Sequence, residues 1–200
     1  MKIYGDKISG NCLKVKWTAD HLGLTYDWID IDILAGESRT PEFLAMNPFG
    51  QVPTVELDDG RYLAQSNAVV LHLAEGSTLI PGDAYERARM LEFMFWEQYS
   101  HEPYVAVCRF QHHYLKMPLA ELDKEKVERG YRALDTMEGW LSDNAFLTGS
   151  STSCADISLV AYTRWAHEGG FELGPYENVC GWIERVEAAA LQVEGVLAVL

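Results

Sequence analysis

Apolar and polar positions follow two different rhythms along this chain, and the change between them falls near residue 80. In the first part, short alternating runs such as "KIYG" and "YDWIDID" have the two-residue period of β-strands. Between them, Val15, Ala19 and Leu22 recur at helical spacing, and the glycine that follows offers a stop for that helix. From Ala84 onward the patterns are helical only. The chain is therefore predicted to be mixed α/β first and all-helical afterwards.

Turn-forming residues separate these two parts. The segment "GSTLIPGDAY" combines glycine, serine and proline, which is typical of a linker. We therefore predict a first domain over 1–75, a linker over 76–84 and an all-helical domain over 85–200. Within the first domain, "VPTVELDDGRYLA" predicts two further strands joined by an Asp-Asp-Gly hairpin turn. A helix is expected from Ser66 to about Glu75.

The composition excludes several classes of protein. With 48% hydrophobic and 23% charged residues, the chain has too much apolar content for disorder. Its net charge of −14 repels phosphate backbones, so no nucleic-acid partner is expected. Neither a basic cluster, nor a signal peptide, nor an apolar run of about 20 residues is evident, so no membrane partner is expected. The four scattered cysteines form no C-x-x-C pair and fit a reducing cytoplasm.

The stretch "FGQVPTVELDDGRYLAQSNAV" carries the most chemical information. Pro53 cannot donate a hydrogen bond to a central strand ladder, so it marks the first residue of a strand or a turn. If the Val52–Pro53 bond is cis, the backbone of Val52 is turned outward and can pair with an extended peptide. A trans bond would leave Pro53 as a simple strand-starting residue. Ser66 suits a helix N-cap, and the N–H groups of the same helix end favour a carboxylate.

The order of four motifs resembles the glutathione S-transferase superfamily over nearly the whole chain: "SGNCLKV", "NPFGQVP", "LAQSNAVVLHLAE" and "FLTGSSTSCADISLVAY". The resemblance, to bacterial-type cytosolic members, implies an α/β thioredoxin-like N-terminal domain followed by an all-α helical domain. It implies glutathione as co-substrate and no metal. The backbone of Val52, beside Pro53, would pair with the cysteinyl part of glutathione. Gln65 and Ser66 would hold the γ-glutamyl end, and the side chain at Gln51 would touch the glycyl end.

Four residues near the N-terminus compete to stabilise the thiolate of glutathione. The resemblance favours Ser9, which lies in the strand-to-helix loop where serine-type members place their hydroxyl, with Asn11 as a second donor. Asn11 is also the expected N-cap of the first helix. Cys12 stands three residues before apolar Val15, on the same side of that helix, and is predicted to be a buried structural thiol. Tyr4, the fourth candidate, fits the spacing of tyrosine-using members less well.

An aromatic-rich stretch, "WEQYSHEPYVAVCRFQHHYL", is predicted to lie on one long helix. His101, Cys108 and His112 share a face of it. A metal site is one interpretation of these three residues, but core positions are preferred because no matching carboxylate can be placed. Three aromatic residues are predicted to line an apolar pocket for a hydrophobic electrophile: Tyr104, Phe110 and Trp165.

Two further features concern folding and assembly. "SCAD" predicts a capping box in which Ser153 and Asp156 satisfy the open end of a helix, with Cys154 buried. Phe49 matches the position at which some members of the family insert an aromatic ring into a partner subunit; packing within its own chain is the alternative. Together with the aromatic-rich segment "MLEFMFW", Phe49 leads us to expect a homodimer.

The function implied by the resemblance is conjugation of the glutathione thiolate to a hydrophobic electrophile. A glutathione-dependent disulfide reductase is an alternative, because some bacterial relatives open with a similar Thr/Ser-x-Asn sequence. A non-catalytic glutathione-binding or stress-related interaction protein on the same fold is the other, since a fold does not settle a function.

Overall fold

The structure is a computed structural model and describes residues 1–190. It divides the chain into two compact units, the first formed by Met1–Ser77 and the second beginning at Thr78. This division lies inside the segment 76–84. The last part of the predicted helical domain, 191–200, lies outside the described residues. No helix within the described range is long and apolar enough to cross a membrane.

The first unit is a four-stranded sheet with three α-helices. Its strand order is β2-β1-β3-β4, with β1 and β2 parallel and the other two pairs antiparallel. This is the predicted thioredoxin-like α/β arrangement. The elements in chain order are β1 (Lys2–Gly5), α1 (Gly10–His21), β2 (Asp27–Asp30), α2 (Pro41–Met46), β3 (Thr54–Glu56), β4 (Tyr62–Ala64) and α3 (Ser66–Leu73).

Strand β1 alternates as its sequence predicts, with Ile3 and Gly5 buried and their neighbours partly exposed. Helix α1 packs closely on this strand. A Cβ atom at Gly5 would lie 2.9 Å from the ring of Trp28 and 3.2 Å from Cβ of Cys12, so only glycine allows the approach. The helix ends at the predicted place, because Gly23 takes a positive φ of 64° after the last turn. The close approach at Gly5 places buried Cys12 of α1 beside the end of β1.

The second unit is all-helical over the residues that the structure describes. It contains α4 (Ala84–Trp96), α5 (Glu102–Arg109), α6 (Lys124–Leu141), α7 (Cys154–Thr163) and α8 (Glu177–Ala190). Helical hydrogen bonding continues from α4 through α5, as predicted for one long helix. It widens into π-helix at Glu97–His101 and again at Phe110–Tyr114, which the sequence pattern does not predict.

Helix α7 is buried along its whole length, and its N-terminus is closed by the predicted capping box. The Asp156 carboxylate accepts hydrogen bonds from the backbone N–H and the hydroxyl of Ser153, both at 2.9 Å. It also accepts from the backbone N–H of Leu147 at 2.9 Å and from Nε1 of Trp182 at 2.8 Å. Burial raises the pKa of Asp156, and these donors oppose that rise. Cys154 is buried, as predicted.

Replacement of Asp156 by alanine is expected to lower the free energy of unfolding by about 3 kcal/mol or more, because it leaves several buried donors without an acceptor. Asp143→Ala is the matched control, since this exposed aspartate lies just after α6; its expected effect is within about 0.5 kcal/mol. Denaturant unfolding of both variants measures the difference. Equal stabilities would show that the carboxylate does not hold α7 in place.

Candidate functional site

The register of the sheet brings three separate chain segments to one end of it. Strand β3 pairs antiparallel with β1 through Thr54 and Tyr4, and with β4 through Thr54 and Ala64. Strands β1 and β4 therefore end where β3 begins. The loop after β1, the residues before β3 and the residues after β4 meet at this end. These are the segments in which the sequence places the thiolate-stabilising residues, the Val-Pro pair and the Gln-Ser pair.

In the first segment, Ser9 is the N-cap of α1 and is partly exposed. Its backbone is extended (φ −73°, ψ 122°), and its side chain makes no capping hydrogen bond. The prediction that Asn11 caps this helix is wrong, because α1 already begins at Gly10. The side-chain oxygen of Asn11 instead accepts hydrogen bonds from Nζ of Lys14 at 2.9 Å and from the hydroxyl of Ser66 at 3.0 Å.

The other two candidates in this region are engaged elsewhere. Cys12 is fully buried, as predicted, and burial raises the pKa of its thiol to about 12, although the backbone N–H of Asp6 and the hydroxyl of Ser9 oppose this. At neutral pH it is therefore a thiol and a poor nucleophile. The hydroxyl of Tyr4 donates a 2.9 Å hydrogen bond to Glu56 on the neighbouring strand. Partial desolvation, followed by this hydrogen bond, raises the pKa of Tyr4.

In the second segment, the Val52–Pro53 peptide bond is cis, the first of the two alternatives that the sequence leaves open. Within residues 1–190, neither the N–H nor the C=O of Val52 has a hydrogen-bond partner. Buried Asn47 holds the loop in place. Its Nδ2 donates to the backbone oxygen of Gln51 at 2.7 Å and to the hydroxyl of Thr54 at 3.0 Å. An unpaired backbone edge on a fixed loop is suited to binding an extended peptide.

Arg39 is a residue that the sequence interpretation missed. Its Nη1 donates to the backbone oxygen of Phe49 at 3.2 Å. Gly50, with a positive φ of 59°, makes room for it, since a Cβ there would lie 2.7 Å from the same nitrogen. Over the described part of the chain, this exposed guanidinium makes no ion pair with a carboxylate. A positive charge next to Gln51 is therefore available to an anionic group.

In the third segment, Gln65 has an unusual backbone conformation (φ 68°, ψ 108°) that is rare for a residue with a side chain. Such strain costs about 1–3 kcal/mol and is typical of binding sites. The predicted N-cap role of Ser66 is wrong: Gln65 occupies that position, and Ser66 is the first residue of α3. The hydroxyl of Ser66 is used to reach Asn11 across the sheet end, so the amide groups of the first helical turn are not capped by it.

The histidines and the cysteine of the long helix are placed individually by the structure. His101 and Cys108 are buried, and Nε2 of His101 lies 3.0 Å from the hydroxyl of Thr163. Nδ1 of His112 lies 2.7 Å from the backbone oxygen of Met117. Within residues 1–190, no three His, Cys, Asp or Glu side chains are grouped closely enough to hold a metal ion.

The three aromatic residues predicted for an apolar pocket have different surroundings. Tyr104 accepts a 2.9 Å hydrogen bond from Arg129 and lines a cavity of about 360 Å³ with residues of α4 and α6. Phe110 packs against Tyr114 with ring centroids 5.1 Å apart and the ring planes tilted by 34°. The guanidinium of Arg109 lies 5.8 Å from the Tyr114 ring and 4.9 Å from the ring of Trp165. Phe110 and Trp165 thus belong to one cluster, in which Tyr114 and Arg109 connect them. Tyr104 is not part of this cluster and lines the separate cavity.

Known proteins resemble this chain along most of its length. The family described as "Glutathione S-transferase, N-terminal domain" matches residues 8–75, and "Glutathione S-transferase, C-terminal domain" matches residues 92–190. The crystal structure of a glutathione S-transferase from Pseudomonas fluorescens is 45% identical, with a TM-score of 0.92 over 96% of each chain. One from Xanthobacter autotrophicus is 40% identical, with a TM-score of 0.88 over 94% of this chain and 92% of that one. Glutathione S-transferase F13 of Arabidopsis thaliana is 28% identical, covering 92% of this chain and 89% of its own.

Proposed function

This chain belongs to the glutathione S-transferase superfamily, and we propose that it conjugates the thiolate of glutathione to a hydrophobic electrophile. The observation that supports this most directly is the meeting of three unlike groups at one end of the sheet. They are the partly exposed hydroxyl-bearing Ser9, the unpaired backbone of Val52 and the strained Gln65 at the start of α3. Each matches one part of an extended γ-glutamyl tripeptide.

We propose that glutathione lies along the start of β3. The free N–H and C=O of Val52 pair with the cysteinyl residue in the manner of an added strand. The γ-glutamyl carboxylate binds Gln65 and Ser66 at the first turn of α3, where open amides and the helix dipole favour an anion. Arg39, together with Gln51, binds the carboxylate of the glycyl end. The two carboxylates of the ligand are therefore bound in different ways: one by the partial positive charge at the start of α3, the other by the full positive charge of Arg39.

The sulfur of this bound glutathione faces the loop between β1 and α1. A free thiol has a pKa of about 8.5 and is only slightly ionised at neutral pH. Lowering that pKa by two units needs about 2.7 kcal/mol. A hydrogen bond from the Ser9 hydroxyl, a second from Asn11 and the dipole of α1 are sufficient in magnitude. The thiolate then donates an electron pair to the electrophilic carbon, and the leaving group departs with its bonding pair.

Conjugation is favoured over a disulfide reductase that depends on a protein thiol in this loop. Such a reductase needs an accessible thiolate, and Cys12 is fully buried with a pKa raised to about 12. For the electrophile, we propose Phe110 and Trp165 as contacts, because they are linked in one cluster. Tyr104, predicted for the same pocket, lines a different cavity and is not proposed as part of it.

We further propose a homodimer, because large apolar side chains are exposed where a monomer gains nothing from them. Phe49 is 56% exposed, so packing within its own chain leaves more than half of its surface uncovered. On α4 and the π segment after it, Phe95 is 71% and Tyr99 is 82% exposed.

Sedimentation velocity at micromolar concentration is expected to show a dimer, and Phe95→Glu is expected to shift it toward monomer. A wild-type monomer under these conditions would contradict the proposal.

Removal of the Ser9 hydroxyl tests the proposed chemistry. Ser9→Ala is expected to raise the pKa of bound glutathione's thiol and to slow conjugation about 10–100-fold, the scale of one or two pKa units. Affinity for glutathione should change little, because the contact acts mainly on the anion. Tyr4→Phe is the matched control, since it also removes one hydroxyl, and it should retain activity. An active Ser9→Ala together with an inactive Tyr4→Phe would overturn the assignment.

Gln65 allows binding and strain to be separated with two variants. Both Gln65→Ala and Gln65→Gly lose the amide, and both are expected to weaken glutathione binding by about 1–2 kcal/mol. Only glycine adopts a positive φ without strain. The free energy of unfolding of Gln65→Gly should therefore exceed that of Gln65→Ala by roughly 1 kcal/mol. Calorimetric titration and denaturant unfolding measure the two quantities. Wild-type affinity in the alanine variant would show that the γ-glutamyl end binds elsewhere.

A further inference from the structure

We propose that Lys14 is a positioning residue, which holds the oxygen of the Asn11 amide and so turns its N–H groups toward the sulfur of bound glutathione. This inference rests on the proposed function, because it concerns how the thiolate acquires its second donor. It adds to that function a residue that does not itself touch the substrate.

The chemistry of the contacts fixes the direction of each hydrogen bond. A lysine ammonium group has three donors and no acceptor. Its Nζ lies 2.9 Å from one end of the Asn11 amide, so that end must be the oxygen and not the nitrogen. Oγ of Ser66 lies 3.0 Å from the same oxygen, and its hydroxyl must therefore donate its proton there. The orientation of the amide follows without any hydrogen atom being observed.

This orientation determines what Asn11 offers to a ligand. The amide oxygen has two lone pairs, and Lys14 and Ser66 occupy both. The two N–H donors lie on the other side of the amide, and a thiolate needs one of them. A reversed amide would place an oxygen against the thiolate and N–H groups against the ammonium, which is unfavourable at both ends. The charge-assisted bond from Lys14 makes that reversal costly.

The position of Lys14 supports a role beyond packing. It lies on α1 between the buried residues Leu13 and Val15, and it is itself 0% exposed. Burial of an ammonium group is unfavourable unless polar partners compensate it, and the Asn11 oxygen is one of its partners. Leucine or methionine would fill the same space without that cost. Holding the Asn11 oxygen is therefore a role of this cation that the packing of α1 does not require.

Ser66 extends the arrangement to the other end of the ligand. It is the first residue of α3, where the γ-glutamyl carboxylate is proposed to bind, and its hydroxyl shares the Asn11 oxygen with Lys14. One amide thus connects the N-termini of α1 and α3.

The test compares variants that break different parts of this arrangement. Lys14→Met removes the ammonium, Lys14→Gln retains an N–H donor, and Asn11→Asp retains an acceptor for Lys14 and Ser66 while losing both N–H groups. Lys16→Met is the matched control, because this lysine is on the same helix but pairs with Asp20. The measurements are the pKa of bound glutathione's thiol, from the ultraviolet absorbance of its thiolate, kcat, and the affinity for S-methylglutathione.

We expect Lys14→Met to raise the thiol pKa by about one unit and lower kcat about 10-fold, with little change in affinity for S-methylglutathione. Lys14→Gln should recover most of the loss, Asn11→Asp should raise the thiol pKa at least as much, and Lys16→Met should match the wild type. A folded Lys14→Met with the wild-type thiol pKa would overturn the inference. If that variant does not fold, a wild-type thiol pKa in Asn11→Asp overturns it instead. Failure of the wild-type protein to bind glutathione would reject the proposed function itself.

Discussion

The pairing of β3 with both of its neighbours is the constraint on which the candidate site depends. Each residue of this short strand faces one partner on β1 and one on β4, so a single register fixes both. A slip of one residue would turn Val55 out of the core and would separate the Val52 backbone from the starts of α1 and α3. Asn47 supports this register from the loop side through Gln51 and Thr54. The sheet thus sets the geometry, and the loops supply the chemistry.

Strain and burial are concentrated where the ligand is proposed to bind. Gln65 has an unfavourable backbone conformation, and Lys14 is a buried cation. The strain at Gln65 costs stability, a buried ammonium group needs polar partners to compensate its burial, and neither feature is needed to build a sheet covered by helices. They persist because neighbouring structure fixes them: strand β4 and helix α3 on either side of Gln65, and the Asn11 amide beside Lys14. Stability elsewhere, such as the four-donor environment of Asp156, compensates for them.

Local sequence patterns predict the elements of this fold better than the contacts between them. The strands, the hairpin, the buried α7 and its capping box follow from periodicity and turn chemistry. Both N-cap predictions were wrong because each helix begins earlier than expected, with Ser9 and Gln65 at the N-cap positions, and Asn11 and Ser66 hydrogen-bond to each other across the sheet end. Arg39 was missed because its importance comes from the distant Gly50, which makes room for it. Lys14 was missed because it interrupts an apolar stretch. A helical pattern is identified from its apolar residues, and a single polar residue among them gives no information about its partners.

The two π segments of the long helix have a consequence for how this chain can tolerate insertions. A π turn holds about one residue more than an α turn, so the side chains that follow it are rotated by roughly 100° about the helix axis. Through the first π segment the helix keeps Glu97 and His101 buried, in line with Val105 and Cys108 beyond it, while Phe95 and Tyr99 are exposed. A one-residue insertion in such a helix is absorbed locally instead of shifting every later side chain. Evolution can thus add or remove single residues here while the packed faces at both ends are preserved.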